Sequence, residues 1–166
     1  MQEVESTSAE EFALYLDTSA LVKLYVEEDY SEVVEEAAAA ATALYTSALA
    51  DLEARVSLAR IRHDGRIETE EDLDRALSAL QEDLAGNLLE VVDDGRRLAR
   101  RAGDLARKHA RIRSYDALHM ASALEAFEGV SEKAYFLAFD RAFVRAARKE
   151  LDLYFDPYPE QAEEAR

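Results

Sequence analysis

The sequence predicts an α/β protein, a three-layer α/β/α sandwich around a central parallel sheet. Short apolar segments alternate with amphipathic helical segments, which is typical of a parallel sheet covered on both faces. Two of the apolar segments stop at an acid, Asp17 and Asp140, and a helical segment follows each acid. The 166 residues have the usual length of one domain, so we expect a domain over residues 12–156 with flexible tails at residues 1–11 and 157–166.

Five apolar segments are predicted to form strands. They are short and rich in aliphatic and aromatic residues, as expected for strands buried on both faces. They cover residues 12–16, 44–46, 88–92, 135–139 and, as a last strand, Leu151, Leu153 and Phe155.

The helical segments carry apolar residues at three- and four-residue spacing. We expect helices over residues 20–26 and 31–42, from a Ser47 cap to His63, from a Thr69 cap onward, from Asp93 or Asp94 to Ala110, from a Ser114 cap onward, and after Asp140. In the helix capped by Ser47, the residues predicted to face the core are Leu49, Leu52, Val56 and Ala59. Glu53 then lies at the edge of this apolar stripe.

The composition indicates a soluble cytoplasmic protein. The chain has no cysteine, and its three histidines lack metal-ligand spacing, so neither disulfides nor a zinc site is predicted. No apolar stretch is long enough to span a membrane. The first eleven residues are acidic and lack the basic region of a secretory signal.

The charge distribution is strongly asymmetric. The formal net charge is −16, and residues 1–94 contain 24 acidic residues against 6 basic ones. Residues 96–113, in contrast, contain eight basic residues and one acid. This basic stripe is either a solvated helix face or a surface that steers a polyanion. The candidates for contacts with a nucleic-acid backbone are Arg96, Arg97, Arg100, Arg101, Arg141 and Arg145.

Four acids can converge at the carboxyl edge of such a sheet: Asp17 and Asp140 at strand ends, and Glu53 and Asp116 in helices. Each ionised pair at about 4 Å costs on the order of 4 kcal/mol at an effective dielectric near 20, so the cluster would need a cation. Mg²⁺ takes oxygen ligands of this kind and supports phosphodiester hydrolysis. The alternatives are four unrelated surface acids, with Asp17 serving only as a helix cap.

Several sequence blocks resemble a known family. They are Leu16-Asp17-Thr18-Ser19-Ala20-Leu21, Thr46-Ser47 followed by Glu53, Ser114-Tyr115-Asp116-Ala117-Leu118-His119-Met120-Ala121, and residues 136–140 followed by Arg141. Together they are similar to the PIN-domain family, in particular to the VapC-type toxins of toxin–antitoxin pairs. The similarity extends from about residue 13 to 155, so residues 12–156 are expected to form a PIN-like domain.

The resemblance implies a Mg²⁺- or Mn²⁺-dependent endoribonuclease. Asp17, Glu53, Asp116 and Asp140 would be the catalytic and metal-binding quartet, and Ser19 would orient a ligand or water near Asp17. The implied partners are an RNA substrate, a cognate antitoxin and a second copy of the chain in a homodimer. An arginine of the antitoxin would replace the cation among the acids.

The chain also departs from the family pattern. Ala138 stands where family members often carry Thr or Ser, so a hydroxyl that supports the metal shell is missing. This favours a second hypothesis, a catalytically impaired binding module whose acidic surface engages a basic protein. A phosphatase or receiver-type enzyme is disfavoured because Ser19 stands where the phosphatase pattern needs an Asp, and no glycine-rich phosphate loop occurs.

Three residues near the predicted site have competing interpretations. Asp51 lies close to Glu53 and is an alternative second acid, although it points elsewhere on the helix. His119, one turn after Asp116, is predicted to be a packed or hydrogen-bonded structural residue. Lys23 is predicted to be solvated, with contact to the edge of the site as the alternative.

Overall fold

The computed structural model describes residues 11–86, 88–93, 95–109 and 112–150. Four parallel strands form one sheet in the order β3-β2-β1-β4. The strands are β1 (Phe12–Leu16), β2 (Ala43–Ser47), β3 (Leu89–Val92) and β4 (Lys133–Leu137). Each overlaps a predicted strand, and β4 begins and ends two residues earlier than expected. The predicted last strand at Leu151, Leu153 and Phe155 lies outside the described residues.

Helices connect these strands and cover the sheet. They are α1 (Thr18–Leu21), continued by a 3₁₀ turn (Val22–Leu24), α2 (Ser31–Ala40), α3 (Leu49–His63), α4 (Glu70–Ala85), α5 (Arg96–Lys108), α6 (Ser114–Ala126) and α7 (Arg141–Glu150). The Thr69 cap of α4 is confirmed, since its hydroxyl accepts a hydrogen bond from the Asp72 amide at 3.1 Å. Within the described ranges, no helix has the length and apolar character needed to cross a membrane.

The sheet separates two hydrophobic cores. Successive side chains of a strand point to opposite faces, and in β1 Leu14 and Leu16 belong to one core while Tyr15 belongs to the other. The first core is packed by residues of α1 to α4, and the second by residues of α5 to α7. The predicted α/β/α sandwich is therefore confirmed.

The predicted inner face of α3 is wrong. Leu52 and Val56 are 60% and 42% exposed, whereas the buried residues of this helix are Ala50, Ala54, Leu58 and Ile61. The buried stripe combines two alanines with Leu58 and Ile61, so it is rotated around the helix from the predicted stripe. This rotation turns the face that carries Leu52, Glu53 and Val56 toward a pocket.

The predicted helix cap at Ser47 is also wrong. Ser47 is the last residue of β2 and is completely buried, and α3 begins only at Leu49. The backbone at Ala48 continues the sheet instead, because its amide donates to the Val92 carbonyl of β3 at 3.0 Å.

Candidate active site

The four predicted acids line one pocket of about 500 Å³. Asp17 and Asp140 follow the neighbouring strands β1 and β4, Asp116 lies in the first turn of α6, and Glu53 lies in α3. Parallel strands bring their carboxyl ends to one edge of the sheet, which explains why residues distant in sequence meet here. Each of the four elements contributes one carboxylate to the pocket.

Asp17 is the most buried of these acids, with 6% of its surface exposed. Its Oδ1 accepts hydrogen bonds from the Ser19 hydroxyl at 2.7 Å and from the Ala20 amide at 2.9 Å. Burial raises the pKa of Asp17 to about 6, although His119 and these two hydrogen bonds oppose the shift. Asp17 therefore caps α1 and also lines the pocket, so the two interpretations of this residue are compatible.

The Ser19 hydroxyl connects the ends of β1 and β4. It donates to Asp17 and accepts from the Phe139 amide at 2.8 Å, one residue before Asp140. Ala138 is completely buried in the second core. Ser19 thus fixes the spacing between the first and fourth acids and holds the Asp17 carboxylate in one orientation.

Glu53 belongs to a chain of hydrogen bonds that continues into the second core. Its Oε2 accepts from the Thr18 hydroxyl at 2.6 Å and lies 2.8 Å from Nε2 of His119. Because a carboxylate only accepts, Nε2 carries a proton, and in the neutral ring Nδ1 accepts from the Tyr15 hydroxyl at 3.0 Å. Burial opposes ionisation of Glu53, but the hydrogen bonds from His119 and Thr18 outweigh it and hold its pKa below the ordinary value. The prediction that His119 is hydrogen-bonded is confirmed.

Asp116 and Asp140 lie at helix N-termini. The Arg113 amide donates to Oδ2 of Asp116 at 3.2 Å, and the Phe143 amide donates to Oδ1 of Asp140 at 3.2 Å. Partial burial raises the pKa of Asp116, and the negative charge of Asp140 raises it further. The two carboxylates are therefore close enough to repel each other.

The donor set suits a hard divalent cation. In the described part of the chain, no three acidic or histidine side chains lie close enough together to hold one ion by themselves. The negative charge of Asp140 contributes to the raised pKa of Asp116, and that of Glu53 contributes to the raised pKa of Asp17. Mg²⁺ is usually held by one or two carboxylates and completes its shell with waters and substrate phosphates. The chemistry of the site is compatible with such an ion.

Five of the six arginines predicted to bind RNA do not line this pocket. Arg96, Arg97, Arg100, Arg101 and Arg145 are absent from the described residues that line it. Arg97 forms an ion pair with Glu125, and Arg101 lies 2.6 Å from Glu128. The side chain of Arg141 lies outside the described part of the structure. Direct backbone contacts by these arginines remain a prediction.

The contacts of Asp51 and Lys23 decide between the competing interpretations of these two residues. Asp51 forms an ion pair with Arg55 at 2.6 Å and does not line the pocket, so Glu53 is the better second acid. Lys23 is only 9% exposed, and its ammonium lies 3.3 Å from Glu28 and 4.7 Å from the centre of the Phe139 ring. The prediction of a solvated Lys23 is wrong because this aromatic ring and carboxylate replace water around it.

One charged residue of the pocket was not identified from the sequence. Arg60 in α3 lines the acidic pocket together with Glu53. Seven residues separate the two, which is two helical turns, so they lie on the same face of α3. The seven-residue spacing could have placed Arg60 on the face of Glu53. The prediction of a different inner face for α3 prevented this.

Comparison with known proteins identifies the family. The family model described as PIN domain matches residues 14–149. Among solved structures, the fold is similar to that of VapBC2 from Rickettsia felis bound to a DNA fragment from their promoter, with a TM-score of 0.55 and 13% sequence identity. That match covers 87% of this chain and 97% of the other, and no significant match exists among curated proteins. Since the family model spans most of the sequence, this chain belongs to the PIN domain family.

Proposed function

We propose that this protein is a Mg²⁺- or Mn²⁺-dependent endoribonuclease and the toxin of a toxin–antitoxin pair. PIN domains are typically nucleases. The observation that carries the proposal is the convergence of Asp17, Glu53, Asp116 and Asp140, from four separate elements, on one pocket. The carboxylate oxygens of this pocket are suited to hold a divalent ion next to a bound phosphodiester.

The side chains have distinct roles in this proposal. Asp116 and Asp140 would hold the ion, which would activate a water and stabilise charge on the phosphate. Asp17, with a pKa of about 6, is mostly ionised at neutral pH and is available to the same ion. Glu53 is kept ionised by Thr18 and His119, so it can hold an ion or accept a proton from the attacking water.

The experiment compares wild type with Asp17→Asn on structured RNA in the presence of Mn²⁺. The matched control is Asp51→Asn, which removes an equal charge from α3 outside the pocket. We expect cleavage by wild type and Asp51→Asn, strongly reduced cleavage by Asp17→Asn, and complete loss in EDTA. Equal cleavage by wild type and Asp17→Asn, or cleavage that persists in EDTA, would refute the proposal.

The proposed partners are an antitoxin and a second copy of the chain. An antitoxin arginine fork could take the place of the cation between neighbouring carboxylates such as Asp116 and Asp140. Co-expression with the product of the adjacent gene should yield a stable, inactive complex. Light scattering of the isolated protein tests the proposed homodimer, and a monomeric mass would exclude it under those conditions.

A binding module without catalysis is the second candidate. It is favoured by the absence, within the described residues, of any three acidic or histidine side chains close enough to hold an ion. Calorimetry with Mn²⁺ separates the two candidates. Binding that disappears in Asp116→Asn supports the nuclease, whereas no binding by wild type, with or without RNA, supports the module.

A further inference from the structure

The acidic pocket continues into a second pocket of about 320 Å³. The two pockets share four lining residues: Thr18, Ser19, Ser57 and Arg60. They therefore form one groove, here called the α3 groove, which runs along one face of α3. Glu53 lies at one end, and Lys23 and Arg66 line the other.

The charge of the α3 groove changes sign along its length. Four carboxylates and the Arg60 guanidinium line the acidic pocket, which gives a formal charge of −3. The second pocket is lined by three cations and two carboxylates, for a charge of +1: Lys23, Arg60, Arg66, Glu28 and Asp64. In a chain of net charge −16, a positive segment next to four acids is an unusual local arrangement.

Arg60 differs from the other arginines of α3 in having no acidic partner. Arg55 pairs with Asp51 at 2.6 Å and Arg62 pairs with Glu70 at 3.3 Å, but no described carboxylate forms an ion pair with Arg60. At the far end of the groove, Lys23 and Arg66 both pair with Glu28. Among the described cations of the groove, Arg60 is therefore the one that forms no ion pair with a described carboxylate.

We propose that Arg60 binds a backbone phosphate of the RNA next to the phosphate that is cleaved. Arg60 lies seven residues from Glu53, about 10 Å along the axis of α3, on the same helix face. A single strand extended along the groove places one phosphate at Arg60 while another lies among the acids. The proposal rests on the proposed nuclease function. It assigns the path of the substrate, which runs along the α3 groove.

Arginine is suited to this role because its planar guanidinium binds phosphate oxygens through two parallel hydrogen bonds. The contact is to the backbone, so it raises affinity without selecting a base. Arg60 should consequently affect substrate binding more than the chemical step. The substitution Arg60→Ala is at an exposed position, so the fold should be unaffected.

The first measurement is fluorescence anisotropy of a labelled single-stranded oligoribonucleotide of mixed sequence between about 50 and 200 mM KCl. One lost phosphate contact should reduce the slope of log affinity against log salt by about 0.7. We expect this reduction in Arg60→Ala, no change in the matched control Arg55→Ala, and recovery of most of the slope in Arg60→Lys. Identical slopes in wild type and Arg60→Ala overturn the proposal.

The second measurement is the steady-state cleavage of bulk tRNA in Mn²⁺. Arg60→Ala should raise KM by about fivefold to tenfold with kcat within about twofold of wild type, and Arg55→Ala should match wild type. An unchanged KM in Arg60→Ala contradicts the phosphate contact and overturns the proposal. If Asp17→Asn cleaves as well as wild type while the anisotropy slope still depends on Arg60, the nuclease proposal fails and the groove remains an RNA-binding surface.

Discussion

The substitution Asp17→Asn should stabilise the metal-free protein while it abolishes cleavage. Asp17 is almost completely buried, and its pKa is raised from 3.8 to about 6 in the fold. An asparagine Oδ1 can still accept the hydrogen bonds from Ser19 and Ala20. The variant therefore removes the cost of a buried negative charge without removing these two hydrogen bonds.

The magnitude follows from the difference between the folded and unfolded pKa values. Well below pH 3.8 the group is protonated in both states, so its ionisation contributes nothing. As the pH rises toward 6, the unfolded chain releases the proton first and the wild-type fold loses stability. Since one pKa unit corresponds to 1.36 kcal/mol, the loss is about 1 kcal/mol at about pH 4.5 and about 3 kcal/mol at about pH 8.

Urea unfolding of EDTA-treated protein at a series of pH values is the assay. The free energy of unfolding of Asp17→Asn should exceed that of wild type by an amount that grows from about 1 to about 3 kcal/mol between pH 4.5 and 8. The control Asp51→Asn removes a surface charge paired with Arg55. The difference between its free energy of unfolding and that of wild type should not increase with pH. If Asp17→Asn is less stable than wild type at pH 8, or if its advantage does not change with pH, the reasoning about the buried charge is wrong.

Three further substitutions test other parts of the site and the core. Ser19→Ala removes a hydrogen bond to the Asp17 anion, so a pH–rate profile should show the acidic limb shifted upward by about one unit; an unchanged limb would contradict this role. His119→Ala removes a buried ring that is hydrogen-bonded to Tyr15 and should lower the free energy of unfolding by about 2–4 kcal/mol. A decrease of less than about 1 kcal/mol would contradict this structural role. Leu58→Ala creates a cavity where the side chain is fully buried and should cost about 2–5 kcal/mol in urea unfolding, whereas a neutral effect would show that the first core can collapse around the site.

The strands and the strand-end acids could be predicted because their signals are local. A short apolar run that stops at an acid, as at Asp17 and Asp140, predicts a strand with a carboxylate near the sheet edge, although β4 ends three residues before Asp140. The alternation of the two cores along β1 follows from strand geometry. These features need no knowledge of which elements pack against each other.

The orientation of α3 depends on its packing partners and was not predictable from hydrophobicity alone. Leu52 and Val56 satisfy the helical spacing of a core face, yet they line the pocket, and Ala50 and Ala54 are buried instead. The position of Arg60 in the pocket lining depends on the same rotation. Periodicity identifies an amphipathic helix, but the elements that pack against the helix decide which of its apolar stripes is buried.

The hydrogen-bond chain from Glu53 to Tyr15 was also beyond sequence analysis. His119 was predicted to be hydrogen-bonded, but its partners come from β1, the start of α1 and α3. The spacing of these residues in the sequence does not indicate that they contact each other. Their convergence is a result of the tertiary fold.

Backbone amides occupy an oxygen on each of the three pocket aspartates, Asp17, Asp116 and Asp140. Each carboxylate is thereby anchored and partly neutralised, and fewer of its lone pairs are available to an incoming ion. Weak retention of a cation by the resting protein follows from this arrangement. If the proposed nuclease function holds, a bound nucleotide strand supplies the additional oxygens, so ion and substrate should bind with positive cooperativity and the protein should be largely metal-free until RNA is present.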